Sequence, residues 1–175
     1  MFQVQKPRAN KIRSMKRVRH SKSRVRVRRA TTRDLDLLVR HRRAMWVDMG
    51  EQDEMALSDQ DRAYRSWALS RLRTGTLLGW LIDADRNGVV ASGVLWLRPS
   101  VPRPRFKHLT QPFLLSMYTE PEWRRRGLAS RIVAEATRWA KRNGYEEILL
   151  HANPMSRRVY PRQRFSRTWE MKREL

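Results

Sequence analysis

The sequence predicts a mixed α/β domain of three layers, a mostly antiparallel sheet with helices on both faces. Two observations carry this. The apolar periodicity runs in the order strand, two helices, three strands, helix, strand, short helix, strand. The strand–helix–strand unit at 113–152 demands a right-handed crossover and so one locally parallel pair in the sheet. Length and composition agree: 175 residues, 40% of them hydrophobic and seven of them Trp, can bury a single sizeable core.

The elements follow in order. Val25 and Val27 alternate with arginines over Arg24–Arg29, the period of an edge strand with one wet face. Thr32 reads as an N-cap before Leu35, Leu38, Val39, Arg42, Met45, Trp46 and Met49, a helical stripe ending at Gly50. Residues 51–57 read as a loop, and Ser58 or Asp59 as the cap of a second helix that stops near Gly75. The runs 76–83 and 89–97 form a hairpin whose Asn87-Gly88 supplies the turn. Residues 98–112, with four prolines, read as a loop or short edge, and 113–119 as a buried strand. Arg126–Asn143 is a helix capped by Asn143-Gly144. Residues 147–152 form a strand, 155–162 a short helix and 165–172 a final strand.

Cysteine is absent, which removes disulfides, thiolate zinc sites, iron–sulfur clusters and a cysteine nucleophile, and suits a reducing cytoplasm. No apolar run is long enough for a membrane span or a signal peptide, so the expectation is a soluble cytoplasmic protein, monomer or homodimer. The net charge is +22, and 32 of the 39 basic residues are Arg. Residues 1–30 hold twelve basic side chains and no acidic one, so more than half of the net charge sits in one-sixth of the chain. Residues 1–24 therefore read as a disordered basic arm and 25–175 as the folded domain. The arm suits nucleic-acid binding, but a plain solvated tail, a later start at Met15 or codon bias toward Arg explain it as well.

The chemistry concentrates in Tyr118-Thr119-Glu120-Pro121-Glu122-Trp123-Arg124-Arg125-Arg126-Gly127-Leu128-Ala129-Ser130, which leaves a strand and enters a helix through small residues. A helix N-terminus presents unpaired N–H groups and about half a positive charge, and so cradles phosphate. Arg124-x-x-Gly127-x-Ala129 in this setting resembles the pyrophosphate-binding motif of the GNAT superfamily of acetyl-CoA-dependent N-acetyltransferases. Asn153 and Tyr160, followed by Phe165, resemble that family's second signature, and the resemblance runs over about residues 25–172. Two positions depart from it: Arg125 stands where a glycine is common, and Arg164 replaces the usual glycine before Phe165.

The resemblance implies the acyl-CoA N-acyltransferase fold, with acetyl-CoA as co-substrate. Cofactor contacts are then expected from Met117, Tyr118, Thr119, Arg124, Arg125, Arg126, Gly127, Leu128, Ala129, Ser130 and Asn153. It also implies a pantetheine arm between diverging strands at 113–119 and 147–152, a bulge aiming one N–H at the thioester carbonyl, and Tyr160 as the acid that protonates the departing thiolate. The acceptor is then a primary amine of unidentified structure. The alternative is a nucleic-acid- or ribosome-associated protein that keeps this scaffold. No base is identified: Glu51, Glu54 and Glu120 are candidates that read first as surface carboxylates, and His151 reads as a structural histidine on a buried strand. Met45, Trp46 and Met49 suit either core or an acceptor wall, and residues 98–112 suit the other wall. The four histidines show no metal-ligand spacing, so no metal is expected.

Overall fold

The computed structural model describes residues 24–154, 156–157 and 159–174, so the basic arm lies outside the described residues apart from Arg24. Five strands form one sheet in sequence order: β1 (Val25–Arg29), β2 (Leu77–Ala84), β3 (Gly88–Pro99), β4 (Thr110–Thr119) and β5 (Leu149–Leu150). Neighbours pair antiparallel through β4, whereas β4 and β5 run parallel. Three α-helices cover it: α1 (Leu35–Asp48), α2 (Glu54–Thr74) and α3 (Leu128–Arg142).

The period-2 alternation of β2 divides the core. Leu77 and Leu81 pack with Val94 against Leu38 and Val39 of α1 and Tyr64 and Ala68 of α2. Leu78, Trp80 and Ile82 point to the other face, where Ile132, Val133 and Ala136 of α3 meet them. The crossover predicted from the strand–helix–strand pattern is α3, which carries the chain from β4 to the parallel β5.

Local chemistry sets the ends. Thr31 and Asp34 form a capping box, the Asp34 carboxylate accepting from the Thr31 N–H at 2.8 Å, so the cap stands one residue before Thr32 and opens a short 3-10 turn into α1. Asp34 also takes the Arg28 guanidinium at 2.7 Å, tying β1 to the helix, and that guanidinium holds its carboxyl below the usual range.

Several expected boundaries move. Helix α2 starts at Glu54, not near Ser58 or Asp59, because the Asp53 carboxylate accepts from the N–H groups of Met55 and Ala56 at 2.9 and 3.1 Å and buried Leu57 already belongs to the apolar stripe. In the β2–β3 turn only Gly88 has positive φ; Asn87 lies in a 3-10 turn. The Pro-rich loop shrinks to 100–109, with buried Pro112 inside β4 opposite Leu97. The strand expected at 147–152 keeps two residues. Among the described residues of 155–162 there is no α-helix, only turns and a 3-10 turn at Pro161–Gln163, and 165–172 forms no strand.

Candidate active site

The parallel pairing of β4 and β5 lasts only from Phe113–Leu149 to Leu114–Leu150. Past that point β4 continues to Thr119 without a strand on that edge, so the sheet splays open. A bulge lies at the same place: Ser92 opposes Tyr118 and Val94 opposes Leu115, which sets Ser116 and Met117 against Gly93 alone. Ser116 adopts φ +51 there, and Gly93 is required, since a Cβ on it would stand 2.3 Å from the Met117 sulfur. The bulge expected from the resemblance is thus present.

Beyond β4 the chain makes a 3-10 turn at Pro121–Trp123 and enters α3. Arg124 donates from Nε to the Thr119 carbonyl at 2.9 Å and pairs with Asp48 at the end of α1, which fixes the loop against the helix. Arg131 N–H to Gly127 C=O, 3.2 Å, is the bond that opens α3, so the N–H groups of Leu128, Ala129 and Ser130 precede it and face out of the helix end. Gly127 has φ +75, and no atom lies within 4 Å of where its Cβ would be.

Splay and helix end open into one cleft of about 510 Å³. Met117, Tyr118 and Thr119 line it from β4, and Arg124, Arg125, Gly127, Ala129 and Ser130 from the loop and α3. Asn153 and Tyr160 close the opposite wall. Two expected contacts are not brought in by their side chains: Leu128 is buried in the core, and Arg126 stacks over the Trp123 ring at 4.7 Å. Asn153 spends its side-chain oxygen on the Ser156 N–H and hydroxyl, at 2.8 and 2.7 Å, and so shapes the wall. Tyr160 is 6% exposed, packs edge-on against Phe165, and is pushed by burial toward a higher pKa.

Both departures from the family pattern fall on left-handed backbone: Arg125 has φ +61 and Arg164 φ +64. These are conformations glycine adopts freely and a side chain adopts at a cost of roughly 1–2 kcal/mol. The turns are therefore kept although the glycines are gone.

Among the candidate bases, Glu51 caps its own loop and Glu54 pairs with Arg43, both exposed. Glu120 differs from the surface reading: half-buried, it accepts from the Tyr118 hydroxyl at 3.1 Å and lies 3.4 Å from His41 Nε2. Tyr118 is accordingly pushed up to about 12, by its own burial first and by the Glu120 charge next. His41 is the residue that the sequence reading missed. It is 1% exposed, with Nδ1 2.8 Å from the Ser92 hydroxyl, and burial with the nearby Arg40 lowers its pKa to about 4. Its signal was its place three residues after Leu38 on the buried stripe of α1. His151, expected on a buried strand, is exposed past the end of β5 and bonds Glu170 at 2.7 Å. Met45 lines the cleft, Trp46 is half-buried and Met49 is 45% exposed, so the three share neither proposed role. Among the described residues no group of three or more His, Asp or Glu could hold a metal ion, and no helix is long and apolar enough to cross a membrane.

The model of the acetyltransferase (GNAT) family matches residues 36–165, and the chain belongs to that family. Membership makes it an acetyl-CoA-dependent acyltransferase, as the two motifs implied. A GCN5-related N-acetyltransferase from Ralstonia eutropha JMP134 is similar at 28% identity over 86% of this chain and 98% of that one, with a TM-score of 0.78. A predicted acetyltransferase with acetyl-CoA from Clostridium acetobutylicum is 24% identical over 87% and 96%, TM-score 0.78. An aminoglycoside N-acetyltransferase in complex with CoA is 19% identical over 89% and 97%, TM-score 0.68. The last two likenesses speak for the fold alone. No curated protein matches the sequence significantly.

Proposed function

We propose that the protein transfers the acetyl group of acetyl-CoA to a primary amine by direct attack, with Tyr160 as general acid. The observation that carries this is the cleft itself: a splayed sheet edge, a bulge, the open end of α3 and a buried tyrosine meet in one space. The residues fit the co-substrate. The N–H groups at the start of α3, with Arg124 and Arg125 beside them, would hold the pyrophosphate, and the empty space over Gly127 leaves room for it. The free edge of Met117–Thr119 would pair with the amide-bearing arm as a strand would.

When bound, acetyl-CoA supplies an activated acyl carbon. The amine nitrogen bonds to that carbon, the carbon–sulfur bond breaks, and one proton passes from nitrogen to sulfur. At the bulge, Ser116 and Met117 withdraw main-chain groups from the ladder, which frees them to face the acyl oxygen. Tyr160 keeps its proton because burial disfavours the phenolate, and so it can donate to the leaving sulfur. A screen of amine acceptors for thiol release from acetyl-CoA tests the reading: turnover with at least one amine class supports it, and release no faster than hydrolysis with every class overturns it. The alternative of a nucleic-acid-binding scaffold rests on the +22 charge and on an arm outside the described residues, so transfer is the better supported reading.

A further inference from the structure

A second cavity of about 360 Å³ lies on the other side of β4, between α2 and the sheet, and the transfer reaction does not account for it. Its walls are Tyr64 and Trp67 of α2, Trp96 of β3 and Leu115 of β4, and Arg42 of α1 reaches into it. Arg42 Nη1 donates to the Ser116 hydroxyl at 2.7 Å, so the guanidinium touches the bulge residue next to Met117, which lines the cleft. Leu115, Ser116 and Met117 thus run from the pocket wall to the cleft wall along one stretch of β4.

Gln60 of α2 is the other polar side chain of the pocket lining, and three polar atoms beside the pocket have no partner. Arg42 Nε, the Trp46 indole N–H and the Tyr64 hydroxyl are all buried without a hydrogen-bond partner. Burial pushes the Tyr64 phenol up, with Ser116 and Arg42 acting against it, and the Tyr64 and Ser116 hydroxyls do not reach hydrogen-bond geometry. Among the described residues no carboxylate pairs with Arg42 and none lines the pocket, whereas Arg28, Arg43 and Arg124 each have an acidic partner. Burial lowers the Arg42 pKa, as expected of a guanidinium stripped of water with no anion to replace it.

The aromatic faces do not welcome a second cation. Arg42 stacks over Tyr64 at 4.6 Å, and Arg71 lies 4.5 Å from Trp67 and 5.8 Å from Trp96. An ammonium would meet two guanidinium groups, whereas an anion would meet the Arg42 charge in an apolar surround. An acceptor therefore has one favourable orientation: its anionic and apolar parts in the pocket and its amine toward the bulge.

We propose that this pocket selects the acceptor, a small primary amine carrying a carboxylate close to the amine and an apolar body. Arg42 receives the carboxylate, Tyr64 donates to it, and Trp67 and Trp96 enclose the body. The proposal rests on the transferase reading, but its binding test does not.

Three probes with one frame separate the contributions: L-phenylalanine, L-phenylalaninamide and 2-phenylethylamine, each assayed for thiol release from acetyl-CoA. The expected kcat/KM falls by about 100-fold from the acid to the amide or the bare amine, within the range that loss of a charge-assisted pair to a buried group produces. In Arg42→Met that preference collapses to less than about threefold, and Tyr64→Phe, which preserves volume, reduces it by about fivefold. Calorimetric titration of L-phenylalanine into wild type and Arg42→Met reads the pocket without turnover. Arg42-dependent binding with no acetylation of any amine overturns the transferase reading and keeps the pocket. Acetylation of all three probes at equal rates, or equal losses for all three in both variants, overturns the pocket and keeps the transferase.

Discussion

The two walls of the cleft are built differently. One is regular: β4, the turn at Pro121–Trp123 and α3 are joined by backbone hydrogen bonds and by the Arg124–Asp48 pair. The other, residues 151–165, has no strand among its described residues and holds its shape through the Asn153 turn and through Tyr160, Val159 and Phe165 packed on the core. On the proposed reading the regular wall grips the anionic end of acetyl-CoA, where fixed N–H groups matter, and the irregular wall carries the acid, where one hydroxyl matters. The difference predicts that damage to the first changes affinity and damage to the second changes rate.

The largest effect expected is on the irregular wall. Tyr160→Phe should lower kcat by roughly 10²-fold or more, within the range of general acid–base groups, with acetyl-CoA affinity unchanged. Steady-state kinetics beside a binding titration read both, and an affinity loss of the same size would erase the division of labour. On the regular wall, Gly127→Val should weaken acetyl-CoA by about tenfold or more, because its branched side chain enters the open space over the helix end. The backbone at φ +75 adds strain, so a melting curve must accompany the titration.

The frame behind the regular wall should be sensitive to acid. His41 is depressed from 6.5 to about 4 in the fold, so between those values the unfolded chain binds the extra proton. Its stabilising share is complete above pH 6.5 and is lost as pH falls toward 4. Glu120, 3.4 Å away, works against the depression, while Arg40 and burial produce it, and the Ser92 hydroxyl and Tyr118 ring face it as neutral partners. Urea unfolding should show a loss of about 1–3 kcal/mol over this window in wild type and a smaller one in His41→Gln. The smallest effect belongs to the irregular wall again: Arg164→Gly should stabilise by about 0.5–1 kcal/mol, read as a slightly higher Tm, because it relieves a left-handed arginine at some cost in chain entropy.

Legibility followed the same division. The strands and helices up to Asn143 announced themselves because each has a period, a cap or a breaker, and a partner close in sequence: Val25 and Val27 alternate, Leu128, Ile132, Val133 and Ala136 keep one face, Gly75 and Gly144 stop helices at positive φ. The start of α2 was misplaced since Ser58 and Asp59 are also good caps, and only the burial of Leu57 decides for Asp53. After Leu150 the apolar pattern of 165–172 looks like a strand, but a strand needs an edge to pair with, and β5 offers two residues. In the site, the two motifs and the resemblance named the cleft residues on β4 and at the start of α3, with Asn153 and Tyr160, but not Asp48, Ser156, Val159 or Arg162. Arg42 was placed on the stripe of α1 but given no role, and His41 went unnoticed because a histidine on a helix reads as surface until the fold buries that face.

If the cleft takes acetyl-CoA, isothermal titration of the protein with acetyl-CoA gives saturable one-to-one binding that weakens with added salt, since arginines and helix N–H groups hold the phosphates. No heat of binding up to a few hundred micromolar acetyl-CoA, with the protein folded, would contradict it.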